Sequence, residues 1–121
     1  MAWNLTSDRP VFIQIIEKLK LDIITGVYKP GDKLPSVRDL AGEAAVNPNT
    51  MQRALAELER EGLLHSVRTT GRFVTDNEEV FAELRRSLGN NHIENLFKNL
   101  NKLGMTDEEI IIAVQQWAKG E

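Results

Sequence analysis

Between Gly31 and Val74 the hydrophobic pattern changes period repeatedly, and its own turn residues mark each change. Pro35-Ser36 opens a helix running to about Ala44, with Val37, Leu40, Ala41 and Ala44 as its apolar stripe. Val46-Asn47-Pro48-Asn49 is a short turn into a second helix, about Pro48 to Glu61. Pro48 suits a first helical turn, where a missing N–H costs nothing. Met51, Leu55 and Leu58 fall on its core side, and Gly62 stops it. Leu63–Val67 and Arg72–Thr75 then read as two strands about a polar tip, Arg68-Thr69-Thr70-Gly71. Two helices about three residues apart, followed by a hairpin, make a winged helix-turn-helix. The expected fold class is mainly α (α+β).

The flanks read as helices. Asp8-Arg9-Pro10 opens the first, with Pro10 in its first turn. Phe12, Ile15, Ile16, Leu19 and Ile23 form its apolar face, Gly26 ends it, and Lys29-Pro30-Gly31-Asp32 turns the chain. Beyond Asn77, Val80, Phe81, Leu84, Leu88, Leu96, Leu100 and Leu103 fit one long helix. Gly89-Asn90-Asn91 is its weak point, where a kink or break would fall. Gly104 closes that segment, and Thr106-Asp107-Glu108-Glu109 fits a capping box opening a last helix. The expected organisation is a winged helix-turn-helix DNA-binding domain over 8–76 and an α-helical dimerisation tail over 77–121.

Composition narrows the function. There is no cysteine, so neither disulfide staples nor thiolate metal sites are available, which fits a reducing cytoplasm. No apolar run approaches the roughly 18 residues of a membrane span, and no signal peptide is visible. His65 and His92 stand without a carboxylate or second His at ligand spacing, and no catalytic set or phosphate-cradling glycine loop appears. No enzyme, metal or cofactor is expected. The net charge of −3 is unevenly placed: residues 1–75 carry ten Lys/Arg against nine Asp/Glu, and residues 76–121 five against nine. The near-neutral first part implies a modest electrostatic footprint on a polyanion and reliance on placed contacts.

A helix-turn-helix with a wing is a shape that reads duplex DNA. Asn47, Asn49, Thr50, Gln52 and Arg53 cluster at the start of the recognition helix beside Pro48. Asn and Gln pair with adenine, Arg with guanine, and Thr meets a thymine methyl. The bland reading is the solvent face of an amphipathic helix. Arg38, one turn into the preceding helix after Ser36, either meets DNA or pairs with Asp39 or Glu43. Arg68 and Arg72 flank the hairpin tip with Thr69, Thr70 and Gly71, where arginine can enter a minor groove.

The tail is strongly apolar for its length. Three consecutive isoleucines, Ile110 to Ile112, cannot share one helix face. Phe81, Leu84, Leu88, Leu96, Leu100, Ile110, Ile111, Val114 and Trp117 are expected to bury against a second copy of the chain.

Several motifs in register resemble the winged-helix domain of the GntR family of bacterial transcription regulators over about residues 8–76. They are Leu34-Pro35-Ser36-Val37-Arg38-Asp39-Leu40-Ala41, Thr50 with Ala54 and Leu58, Glu61-Gly62-Leu63-Leu64, and Gly71-Arg72-Phe73-Val74. The turn and the short two-helix tail look most like the YtrA subfamily. The resemblance places DNA contacts on Arg38, on Asn47, Asn49, Thr50 and Gln52, and on the wing from Arg68 to Arg72. It implies a homodimeric repressor of its own operon, often with ABC transporter genes, on a near-palindromic operator. Two positions depart from the pattern: Asn47-Pro48 stands where Ser-Arg is frequent, and Thr69 replaces a wing glycine. A protein-interaction module without a specific DNA site is the alternative. A small-molecule effector, between winged part and tail or at a dimer interface, is left open, and no motif marks it.

Overall fold

The computed structural model describes residues 3–121. Five helices and one two-stranded antiparallel sheet follow in the order α1 (Val11–Ile24), α2 (Val37–Ala44), α3 (Pro48–Arg60), β1 (Leu64–Val67), β2 (Gly71–Val74), α4 (Glu78–Lys102) and α5 (Asp107–Ala118). The fold is mainly α. The chain forms two compact units, one ending at Leu84 and the other spanning Arg85–Glu121. No helix among the described residues is long and apolar enough to cross a membrane.

In the first unit, α1, α2, α3 and the hairpin close over one core. Ile15, Leu19 and Ile23 of α1 meet there with Leu40, with Met51, Leu55 and Leu58 of α3, and with Leu64 and Val74 of the strands; all are essentially inaccessible. Each such side chain contributes about 1.5–3 kcal/mol on leaving water. Phe12, expected on this face, is only half-buried. Pro10 caps α1 rather than entering its first turn. The entry is instead held by buried Gln14, whose Nε2 donates to the carbonyls of Thr6 and Arg9 at 2.8 and 2.9 Å. Its Oε1 accepts from the Thr6 N–H at 2.8 Å.

The helix-turn-helix turn is built from caps. Ser36 precedes α2 and accepts the Asp39 N–H at 3.0 Å. Ala45 ends α2 with φ 58°, a left-handed cap that glycine usually takes. Asn47 caps α3 by accepting the Asn49 N–H at 2.8 Å, with Pro48 directly behind it. The cap fixes where α3 begins and therefore which of its residues face outward.

In the hairpin Leu64 pairs with Val74, His65 with Phe73, Ser66 with Arg72 and Val67 with Gly71. Gly71 is thus a strand residue rather than part of the tip. A third segment lies along the outer edge of β2 through a bridge between Lys33 and Phe73. The Leu34 N–H donates to the Arg72 carbonyl at 2.9 Å, and the Val74 N–H to the Asp32 carbonyl at 2.8 Å. The wing is anchored to the segment that leads into α2.

Helix α4 runs unbroken through Gly89-Asn90-Asn91. One internal glycine costs only about 1 kcal/mol relative to alanine, too little to break a helix with capped and charged ends. Asn77 Oδ1 accepts the Glu79 N–H at 2.9 Å, Glu78 and Glu79 lie in the first turn, and Lys102 lies in the last. In the second unit the capping box at Thr106 forms in full. The Thr106 N–H donates to Glu109 Oε1 at 2.9 Å, and the Glu109 N–H to Thr106 Oγ1 at 3.2 Å. Asn101 Nδ2 donates across the turn to the Met105 carbonyl at 2.8 Å.

Candidate nucleic-acid interface

The first turns of α3 present Asn49, Gln52 and Arg53 outward, with Thr50 half-buried. Not all of this polar chemistry is available to a ligand. The Asn47 side-chain oxygen is taken by its cap, which leaves its NH2 group. Ser36 likewise accepts a backbone N–H and keeps its hydroxyl proton to donate. Pro48 has no donor. Arg53 lies over the ring of Phe12, its guanidinium carbon 4.0 Å from the centroid. That stacking explains why Phe12 stays near the surface.

Arg38 and Arg68 are exposed, and neither side chain has a hydrogen-bond or ion-pair partner among the described residues. The ion pairs of Arg38 with Asp39 or Glu43, weighed from the sequence, do not form. Arg72 differs. Its Nε donates to Glu59 Oε1 at 3.1 Å and its Nη1 to Gln52 Oε1 at 3.4 Å, and its side chain is only 18% exposed. The same Glu59 oxygen accepts the Ser66 hydroxyl at 2.8 Å. Those bonds, the Ser66 one first and the Arg72 one next, hold the Glu59 carboxyl below its ordinary range.

At the tip, Thr69 has φ 65°. The Thr70 N–H closes a turn on the Val67 carbonyl at 3.0 Å, which places Thr69 where glycine or asparagine is usual. The Thr69 hydroxyl turns back to the Arg68 carbonyl at 2.6 Å. His65 stacks on its cross-strand partner Phe73 with ring centroids 5.9 Å apart. Among the described residues no group of three or more His, Cys, Asp or Glu is placed to hold a metal ion.

Between the start of α2 and the hairpin lies an open groove of about 960 Å³. Ser36 and Pro35 line one side and Arg68 to Arg72 the other, with Lys33 joining them; the one acidic group on its wall is Asp39. Lys33 and Arg68 beside a helix N-terminus suit an anion, while Arg72 on the same wall is committed to Glu59, and the chain is net negative. Lys33 and Glu59 did not stand out in the sequence. Lys33 reaches the groove through a one-residue bridge, and Glu59 is placed by the hairpin register, so no local pattern marks either.

A family model described as bacterial regulatory proteins, gntR family, matches residues 13–74. The chain belongs to the GntR family. Its relatives include the HTH-type transcriptional regulator YhcF of Bacillus subtilis, 35% identical over 94% of each chain. The HTH-type transcriptional repressor YtrA of the same organism is 46% identical over 59% of this chain and 55% of that protein. A GntR family transcriptional regulator from Listeria monocytogenes has the same fold, with a TM-score of 0.82 and 38% identity over 93% of this chain and 98% of that one. The DNA-binding domain of AraR in complex with an operator matches 62% of this chain and 92% of that one, at 29% identity and a TM-score of 0.54. The GntR relatives are transcriptional regulators and not enzymes.

Proposed function

We propose that this GntR regulator is a sequence-specific, homodimeric DNA-binding repressor that acts in the cytoplasm on its own operon. The YtrA likeness suggests ABC transporter genes as further targets. The observation that carries the reading is the cation-lined groove between the start of α2 and the wing, together with the outward polar turn of α3. A phosphate run seated against Lys33, Ser36 and Arg68 brings Arg38, Asn49, Thr50 and Gln52 to the major groove, with Arg53 at its edge. Thr69 and Thr70 then shape the wing tip that approaches the neighbouring backbone, with Gly71 opening β2 behind them. The complexes of AraR with operator DNA support the same use of the fold.

The dimer reading rests on the second unit. Trp117 is 82% exposed and Leu103 76%, and Leu96, Ile111, Ile112 and Val114 also face solvent, together with Ile93. Of the residues expected at an interface, Leu84 and Ile110 are already buried in the single chain, while Phe81, Leu88 and Leu100 are half-buried. The interface therefore centres on Leu96, Ile111, Val114 and Trp117. Two copies would place two α3 helices in successive major grooves of a near-palindromic site.

A gel shift with the duplex upstream of its own gene tests the proposal. Tight binding that falls steeply with salt, and Arg38→Ala weakening it by about 1–3 kcal/mol, is the expected result. Equal affinity for a scrambled duplex overturns specific regulation. A flat salt response favours the protein-interaction module, which the net charge and the internal ties of Arg53 and Arg72 keep in contention.

A further inference from the structure

The wing arginine and the recognition-helix glutamine are not independent. Gln52 and Glu59 lie two turns apart on one face of α3. Ser66 and Arg72 are directly opposed on β1 and β2. One carboxylate oxygen of Glu59 accepts from both members of that cross-strand pair, which pins the hairpin to the helix. From that anchor one further donor, Arg72 Nη1, reaches the side-chain oxygen of Gln52 at 3.4 Å.

The chemistry of this contact fixes an orientation. A guanidinium has five donors and no acceptor, so only the oxygen of an amide can face it. The NH2 group of Gln52 must then point away from Arg72. A free glutamine reads adenine with both ends of its amide, donating to N7 and accepting from N6. A glutamine whose oxygen is turned to an arginine offers a base chiefly its donors. Those suit edges that accept, such as N7 and O6 of guanine or O4 of thymine.

We propose that Arg72 is a positioning residue for base readout: held by Glu59, it orients Gln52 as a donor to guanine or thymine and is itself withheld from the phosphates. The inference rests on the DNA-binding reading above and goes beyond it by giving one base contact a direction.

Selection from a random duplex library by the full chain, followed by binding to every single-base-pair variant across a salt series, tests it. In Arg72→Ala, preference at one base pair shifts about tenfold toward adenine. Gln52→Ala flattens the preference at that same pair. The salt dependence of Arg72→Ala matches wild type, because no phosphate contact is lost. Glu59→Gln releases Arg72 to the backbone and steepens the salt slope by about one, and the added substitution Arg72→Ala abolishes that gain. If Arg72→Ala unfolds the hairpin, Arg72→Lys carries the test. It keeps the charge but lacks the planar fork that spans two partners, so preference shifts and the slope holds.

The assignment is overturned if Arg72→Ala lowers the slope by about one and weakens all duplexes alike, or if it leaves both preference and slope unchanged. A wild-type chain that enriches no sequence sinks the DNA reading itself. Enrichment with either of the other two results sinks this assignment alone.

Discussion

The winged unit and the tail unit solve the same problem differently. In the first, three helices and a hairpin bury Ile15, Leu19, Leu40, Met51, Leu55 and Leu58 almost completely, and side chains cap both α2 and α3. In the second, α5 buries only Ile110 and leaves Ile111, Ile112, Val114 and Trp117 in water. Both have well-formed helix starts: the capping box at Thr106 is as complete as the caps at Ser36 and Asn47. The contrast therefore lies in packing and not in helix formation. Caps and periodicity mark where a helix begins and which face it buries. A core needs elements that converge from several directions, and a pair of consecutive helices offers few. A unit shaped this way leaves apolar surface that the second copy proposed above would cover.

The largest test of the contrast sets a core residue against a tail residue. Leu58→Ala should lower stability by about 2–5 kcal/mol, read as a fall in the urea midpoint with unchanged slope. Trp117→Ala, in protein dilute enough to be monomeric, should move the same midpoint by no more than about 0.5 kcal/mol. Its effect should appear in sedimentation, where self-association weakens by about 2 kcal/mol or more if Trp117 sits at the centre of an interface. A Trp117→Ala chain that associates like wild type would remove Trp117 from that interface.

The same contrast explains what could be read in the sequence. The starts of α2, α3 and α5 were legible because caps act within three or four residues of one another. Ser36 with Asp39, Asn47 with Asn49, and Thr106 with Glu109 are such pairs. Membership of Gly71 in β2 was not legible, because it depends on register with Val67 and on the edge segment through Lys33. The grouping of Gln52, Glu59, Ser66 and Arg72 was hidden for the same reason: it joins a helix to a hairpin across a turn. The one long helix read from the apolar spacing is continuous, and at the weak point Gly89-Asn90-Asn91 one local penalty is outweighed by a long run of favourable turns. Residue types at the candidate interface were readable, but their availability was not. Arg38 and Arg72 look alike in sequence, and only the fold leaves one unpaired and ties the other to Glu59.

A smaller test concerns backbone strain within the winged unit. Thr69, β-branched, holds a left-handed φ of 65° at the wing tip, a conformation that costs an L-residue roughly 1–2 kcal/mol. Glycine removes that cost and adds about 0.5–1 kcal/mol of unfolded-chain entropy. Thr69→Gly should therefore raise stability by several tenths of a kcal/mol, up to about 1 kcal/mol. Gly71→Ala should do the reverse. Its φ is 132°, and a Cβ there would stand 3.1 Å from Cε of Lys33. A thermal melt of the two variants checks the pair; equal midpoints would show that the tip relaxes freely.

The smallest effect comes from acid acting on the link between wing and recognition helix. The Glu59 carboxyl is held below its usual value of 4.5, first by the Ser66 hydroxyl, then by the Arg72 bond and charge. A carboxyl lowered in the folded state binds its proton more readily in the unfolded chain, so stability rises with pH across that interval. The contribution of Glu59 is complete above pH 4.5 and is lost as pH falls through the lower, folded value. The side chain is 37% exposed, so solvent screening keeps it within the range of surface ion pairs, about 0–1 kcal/mol. Stability measured against pH should show wild type above Glu59→Gln at neutrality, with the two curves converging in acid. Curves that stay parallel through the acid limb would mean that Glu59 contributes by shape alone. The hold of Arg72 on Gln52 would then not depend on the carboxylate's charge.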